Sequence, residues 1–195
     1  MAELLDIATR VAGSATDGEQ IEVYVARSRN TDVRVYQGDI EQLSSADTEG
    51  VGIRVVRGGR TGFAYAGVLD EAGIKEVLAD ARDNAEFGTP DEFAGVAAPD
   101  GVEAADFDPY DAELETYPTE KKIDIALELE RMVLAADPRI IGADMVMFQD
   151  QLVERAIATS NGIANWARRS GSSLGASVLA RDGDETQTGW GMSVA

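Results

Sequence analysis

At 195 residues the chain can bury one large core or two small ones, and its 44% hydrophobic content is that of an ordinary globular protein. It contains neither cysteine nor histidine, which excludes disulfides, thiolate catalysis, ordinary structural zinc sites and Ser-His or Cys-His nucleophile pairs within these residues. The 36 acids outnumber 17 bases for a formal net charge of -19, a field that repels nucleic-acid phosphates.

Residues 2 to 13 place Leu4, Leu5, Ile7, Ala8 and Val11 on one broad helical face, with Gly13 ending the run. Glu3 and Asp6 interrupt this N-terminus, so it does not read as a signal peptide, and no segment has the roughly 20 apolar residues of a membrane span. A cytoplasmic location is the expectation. After a polar loop over residues 14 to 20, Ile21, Val23 and Val25 alternate as a first strand. Arg27-Ser28-Arg29-Asn30 reads as a turn into the stretch from Thr31 to Gly67. There Val33 and Val35, then Ile53 and Val55, alternate with charged neighbours, and Gly58-Gly59 reverses the chain in a tight hairpin. Asp70 is placed to cap a helix carrying Ile74, Val77, Leu78 and Ala81 and ending near Asn84.

From Phe87 to Tyr117 the character changes. Prolines 90, 99 and 109 punctuate a run of acids, Asp91, Glu92, Asp100, Glu103, Asp106, Asp108, Asp111, Glu113 and Glu115, with no base between Arg82 and Lys121. Self-repulsion and proline favour an extended linker, and the acid spacing fits no calcium loop. Thr119 then reads as the cap of a helix with Glu120 in its first position, burying Ile123, Ala126, Leu127, Val133 and Leu134 and stopping at Asp137-Pro138. The remainder reads as a meander of about five strands. Asp144 to Phe148 and Leu152 to Thr159 are separated at Gln149 to Gln151. Ser160-Asn161-Gly162 turns into Ile163 to Arg168, and Leu174 to Ala180 pairs through Asp182-Gly183 with Glu185 to Met192. Strand-like sequence running to Ala195 without a cap or tail is the pattern expected of a region cut from a longer polypeptide.

The expected fold class is α+β: mainly antiparallel sheets with helices packed on one face, two layers and two subdomains. The expected division is 1–87 as a helix-sheet-helix subdomain, 88–117 as the acidic linker, and 118–195 as a helix plus meander, truncated before a C-terminal domain.

The candidate chemistry is thin. Gly50-Val51-Gly52 leads into another strand rather than a helix, so it is a hairpin element and not a dinucleotide fingerprint, and no P-loop GK[ST] occurs. Asp182 and Asp184 could ligate a cation, but flanking Gly183 they more often make a turn. Lys75, Lys121 and Lys122 sit beside acids in amphipathic helices and read as surface charges, not desolvated catalytic lysines. Trp166 and Trp190 are either exposed binding aromatics or cross-strand packing, with packing favoured. Arg54, Arg57, Arg60 and the Arg168-Arg169 pair are the nearest thing to a basic patch and read as solvated strand and turn residues. The expected sites are therefore none: no catalytic, cofactor-binding or metal residue in this chain.

Ile21-Glu22-Val23, Gly38-Asp39-Ile40-Glu41, Glu49 to Val55 and Gly62-Phe63-Ala64 resemble the TldD/PmbA family, once called modulators of DNA gyrase. Tyr110-Asp111, Glu120-Lys121-Lys122, Ala136-Asp137-Pro138-Arg139, Ala158 to Gly162 and Ser177 to Ala180 continue the resemblance across nearly the whole chain. Tyr110-Asp111 and the Ser-Asn-Gly hairpin are closer to the PmbA (TldE) branch than to the TldD branch. The resemblance implies the N-terminal half of a subunit in a heterodimeric, cytoplasmic metallopeptidase that cuts unfolded peptides. The TldD-type partner or a missing C-terminal half would supply zinc, through an HExxxH helix and a cysteine. No metal ligand carries over to this chain, so its implied part is scaffolding and substrate admission, without nucleic acid or membrane. The alternative is a stand-alone module that binds a peptide or protein along an exposed sheet edge; an acidic DNA mimic is a third, weaker reading.

Overall fold

The computed structural model describes residues 2–102 and 107–195, so Glu103 and Asp106 of the acidic run lie outside the described residues. The elements in chain order are α1 (Ala2–Ala12), β1 (Glu19–Tyr36), β2 (Asp39–Arg57), β3 (Arg60–Ala66), α2 (Glu71–Phe87), α3 (Ala112–Glu115), α4 (Thr119–Ala136), β4 (Ile140–Thr159), β5 (Ala164–Asp182) and β6 (Glu185–Val194). The strands form one mostly antiparallel sheet in the order β3-β2-β1-β4-β5-β6, and with its helices the chain is α+β. Among the described residues no helix is long and apolar enough to cross a membrane.

The strands are longer and fewer than the sequence pattern implies. Arg27 to Asn30 does not turn the chain; it lies inside the 18-residue β1. Gln149 to Gln151 lies inside the 20-residue β4, and Arg169 to Ser173 inside the 19-residue β5, so three strands stand where about five were expected. The polar side chains that mimic turns are satisfied across the sheet instead. Ser28 and Thr48 share a hydroxyl hydrogen bond of 2.8 Å, Arg29 meets Asp47 at 2.8 Å, and Gln151 donates to Asn30 at 2.8 Å. The true end of β1 is a two-residue turn at Gln37-Gly38, where Gln37 is the one non-glycine with a positive φ among the described residues, at 55°. The Gly58-Gly59 hairpin forms as expected, with φ of 56° and 72° and Arg57 paired to Arg60.

The chain divides into two compact units, each assembled from separate segments: residues 1–28, 48–108 and 153–168 form the first, and 29–47, 109–152 and 169–195 the second.

In the first unit, the inward rows Ile21, Val23, Val25 of β1 and Val51, Ile53, Val55 of β2 are covered by Leu4, Ala8 and Val11 of α1 and Ile74, Val77, Ala81 and Ala85 of α2. Each fully buried Val, Leu or Ile is worth roughly 1.5–3 kcal/mol of transfer free energy, so this apolar cluster is the unit's main source of stability. Asp70 caps α2, its carboxylate accepting from the Gly73 amide at 2.9 Å; the helix runs three residues past Asn84, to Phe87. Helix and strand touch closely here: a Cβ on Gly62 of β3 would lie 2.1 Å from the Ala81 carbonyl oxygen.

The second unit packs α4 on Val33 and Val35 of β1 and Ala143, Val146 and Phe148 of β4, with Leu174 and Ala176 of β5 beside them. The helix begins one residue earlier than the capping pattern suggests. Pro118 occupies the cap position without a side-chain hydrogen bond, and Thr119 is already helical. Asp137 ends the helix, as expected. Its innermost residues are Lys122, Ala126 and Glu130, whereas Leu134 is 40% exposed.

Candidate functional site

The residues i, i+4, i+8 that α4 turns inward carry two charges. Lys122, expected on the surface, is buried: its Nζ lies 2.5 Å from Asp150 Oδ2 and donates to Thr31 Oγ1 at 3.4 Å. The side chains of the pair are only 7% and 1% exposed. The strand period that buries Val33 and Val35 also turns Thr31 inward, and the row Val146, Phe148 continues to Asp150. A lysine so matched by a carboxylate is a tie between helix and strands, already engaged where a catalytic amine would have to be free.

Two turns further along, the Glu130 carboxylate accepts from the Gln37 and Gly38 amides at 2.7 Å each. Charge-assisted bonds of this kind offset the roughly 1–2 kcal/mol that a non-glycine residue loses in the left-handed region. Nothing in the apolar periodicity announces either contact. The clue available in sequence was the common stripe of Lys122, Ala126 and Glu130.

Beyond these ties, α4 leaves part of the sheet uncovered. A groove of about 510 Å³ runs between Leu129, Val133 and Ile140 on one side and Leu174, Trp190 and Met192 on the other. Register explains its shape. Leu174, Ala176 and Val178 stand opposite Ser193, Gly191 and Gly189, so the α4 face of β6 has almost no side chains to fill the space. The remaining β6 residues turn to the other face, where Trp190 is 80% and Val194 69% exposed. Every residue of β6 is exposed. Trp190 is thus not packed across strands as expected, while Trp166 is, against the first unit's core.

Next to this groove, and sharing Ile140, Val178 and Gly189 with it, a second cavity of about 510 Å³ has charged residues among its lining. Arg139 bridges Asp137 at 2.9 Å and Asp182 at 3.6 Å there. Hydrogen bonds from the Arg139 side chain and then its backbone amide lower the Asp137 carboxyl to about 2. Asp182 pairs with Glu185 across the Gly183-Asp184 turn, which is the turn role weighed for it.

The first unit carries a shallower surface of about 490 Å³ around Tyr24, Phe63 and Tyr65, floored by Gly50 and Gly52. The Phe63 ring lies 3.4 Å from where a Gly52 Cβ would be, so these glycines admit an aromatic ring rather than a phosphate.

Arg54, Arg60 and Arg168 of the expected patch are individually engaged. Arg54 makes a two-point contact with Glu22 at 3.1 Å, Arg60 donates to the Gly88 carbonyl, and Arg168 meets Asp108 at 2.6 Å. Lys75 and Lys121 pair with Glu71 and Asp124 on helix surfaces, as read from the sequence. Another rim contact of this unit joins Arg82 to Glu19 at 2.8 Å, where the carboxylate side chain is 1% exposed. The Arg82 hydrogen bond outweighs burial and holds Glu19 below the usual carboxylate value.

Residues 21–85 match the family model described as PmbA/TldA metallopeptidase domain 1, and residues 112–194 match the PmbA/TldA metallopeptidase central domain. The chain is 28% identical over 177 residues to a metalloprotease PmbA homolog of Haemophilus influenzae, covering 90% of this chain and 38% of that protein. It is 26% identical over 198 residues to metalloprotease PmbA of Escherichia coli O157:H7, covering 100% and 43%. It therefore spans about two-fifths of the length of these curated relatives.

Among solved structures, TldE from Thermococcus kodakarensis superposes with a TM-score of 0.81 at 18% identity, over 90% of this chain and 39% of that one. A Thermotoga maritima protein whose name connects it with DNA gyrase modulation gives 0.78 at 23%, over 92% and 40%. At these identities the structural likeness is one of fold. The zinc that a metallopeptidase family implies does not fit the donors present: the sequence has no His or Cys, and no group of three acids among the described residues could hold a metal ion.

Proposed function

Because the chain belongs to the PmbA/TldD metallopeptidase family, with the first and central domains matched in order, we propose that it serves assembly and substrate admission in a peptidase of that family. Bond cleavage is assigned to zinc carried elsewhere, on a TldD-type partner or on a part of the family polypeptide outside these residues. The observation that carries this reading is the apolar groove beside β6: a surface of Leu, Val and Ile side chains over the glycine-rich backbone of β6, with no acid, base or histidine among its lining residues. Such a surface suits extended apolar segments, which fits unfolded peptides as substrate. The complex is a heterodimer with a homologous family subunit, this chain stands on the PmbA (TldE) side, and the assembly works in the cytoplasm.

The test is reconstitution with a zinc-bearing TldD-type subunit from the same genome. The expected result is a one-to-one complex by light scattering and hydrolysis of an unfolded peptide that a chelator abolishes, with no hydrolysis by this chain alone. Chelator-resistant hydrolysis by the purified chain would overturn the proposal.

A further inference from the structure

Residues 88–102 follow α2 without forming helix or strand, yet they are seated on the first unit. This strap crosses the β2–β3 hairpin at Gly59. There the Asp91 amide donates to the Gly59 carbonyl at 2.8 Å, and a Cβ on Gly59 would lie 2.9 Å from the Asp91 carbonyl oxygen. Further along, Val96 is 8% exposed and is the one buried residue of the strap.

Around that anchor three side chains bind main chain. Gln20 Oε1 accepts from the Val96 amide at 2.9 Å, Asn161 Nδ2 donates to the Val96 carbonyl at 3.0 Å, and Thr159 Oγ1 donates to the Ala97 carbonyl at 3.0 Å. Ser160 fixes Gln20 and Asn161 beside each other. Its amide donates to the Ile21 carbonyl at 2.8 Å, and its hydroxyl accepts from the Ile21 amide at 3.0 Å. The Ser160-Asn161-Gly162 hairpin is thus a turn that also presents a recognition group. Both backbone groups of one residue are bonded by side-chain amides, much as a neighbouring strand would bond them. The flanking side chains are left out: Phe93 is 87% exposed, and Ala97 and Ala98 are exposed too.

A site that binds main chain and one aliphatic side chain suits any extended segment that places a valine-sized residue there. The strap itself is lightly held, by a single apolar anchor and a few hydrogen bonds, and it carries Asp91, Glu92 and Asp100 in a chain of net charge -19. Segments with so few buried contacts open locally, well below the cost of global unfolding. We propose that this end of the first unit is a peptide-binding site filled by the chain's own residues 91–99. An extended polypeptide with a valine-sized aliphatic residue takes their place when the strap lifts. The inference rests on the strap's contacts alone and not on the peptidase reading.

Hydrogen exchange and a peptide titration test it. In the unaltered chain the Val96 amide exchanges roughly a hundredfold or more faster than that of Val23 in β1, at a rate that low urea does not change, because only the strap opens. Asn161→Ala, which leaves every core residue in place, speeds Val96 exchange about fivefold and leaves Val23 alone. Val96→Asp removes the anchor and frees the site. NMR titration of that variant with a synthetic peptide of residues 91–99 gives saturable shifts at Gln20 and Asn161. Its affinity is roughly tenfold or more above that of the unaltered chain, whose tethered strap competes at high effective concentration. The same peptide carrying Val96→Asp does not bind. A Val96 amide that exchanges only with global unfolding overturns the proposal. So does a Val96→Asp chain that ignores the peptide or takes the Val96→Asp peptide equally well.

Discussion

The two units solve the problem of covering a sheet in different ways. The first lays two long helices over its strands, fills the space with Leu, Ile, Val and Ala, and keeps its ion pairs at the rim. The second has one long helix, whose innermost stripe carries a lysine and a glutamate, and it leaves a whole strand exposed. An apolar core is stabilised by volume and tolerates imprecision; a buried ion pair contributes little net stability because desolvation consumes most of its attraction, but it penalises any arrangement in which the partners do not meet. The first unit is thus held by apolar packing, whereas the second is fixed in detail by its polar ties.

The contrast can be broken from the closed side. Gly62→Ala sets a Cβ against the Ala81 carbonyl and the Ala85 amide, forcing α2 off β3. The expected cost is about 4 kcal/mol or more, read as a lowered urea midpoint with unchanged slope. A loss below about 1 kcal/mol would mean that the helix seat on β3 is loose.

Next in size is the polar side. Lys122→Met strands Asp150 without its counter-ion and is expected to cost about 3 kcal/mol, while Lys122→Met combined with Asp150→Leu returns to within about 1 kcal/mol of the parent. If the double variant is as unstable as the single one, the pair is not the matched tie described.

The smallest effect is at the first unit's rim and is visible only in acid. The folded Glu19 carboxyl lies below its ordinary 4.5, chiefly through Arg82. Its contribution is complete above that value and is lost as pH falls through the depressed folded value. Arg82→Met should therefore flatten the acid limb of stability, by on the order of 1 kcal/mol after solvent screening at the part-exposed arginine. Urea midpoints measured from about pH 7 down to about pH 3 check it. An acid limb unchanged by the substitution would show that other carboxylates set it.

Much of the fold was legible wherever a local rule acts alone. Asp70 caps because its carboxylate reaches an amide three residues on, and Gly58-Gly59 turns because both residues need positive φ. The family resemblance was legible for a similar reason, since its motifs are short and keep their order. What failed were judgements that depend on a distant partner. Arg27 to Asn30 and Gln149 to Gln151 have the composition of turns, and only their neighbours across the sheet make them strand. Lys122 looks like a surface residue until Asp150 and Thr31 are opposite it. Trp190 is exposed because it stands on the face of β6 turned away from α4, and whether that face is covered is nothing that periodicity in β6 encodes.

The way the chain is threaded has a genetic consequence. Each unit is built from three separate stretches of sequence, and β1, β2, β4 and β5 each contribute residues to both. No single cut yields either one whole: a gene ending after residue 108 would lack the 153–168 segment of the first unit and retain the stranded 29–47 segment of the second. Recombination can trade independent modules like cassettes, but it cannot separate these two, so they must be inherited, and must diverge, as one piece.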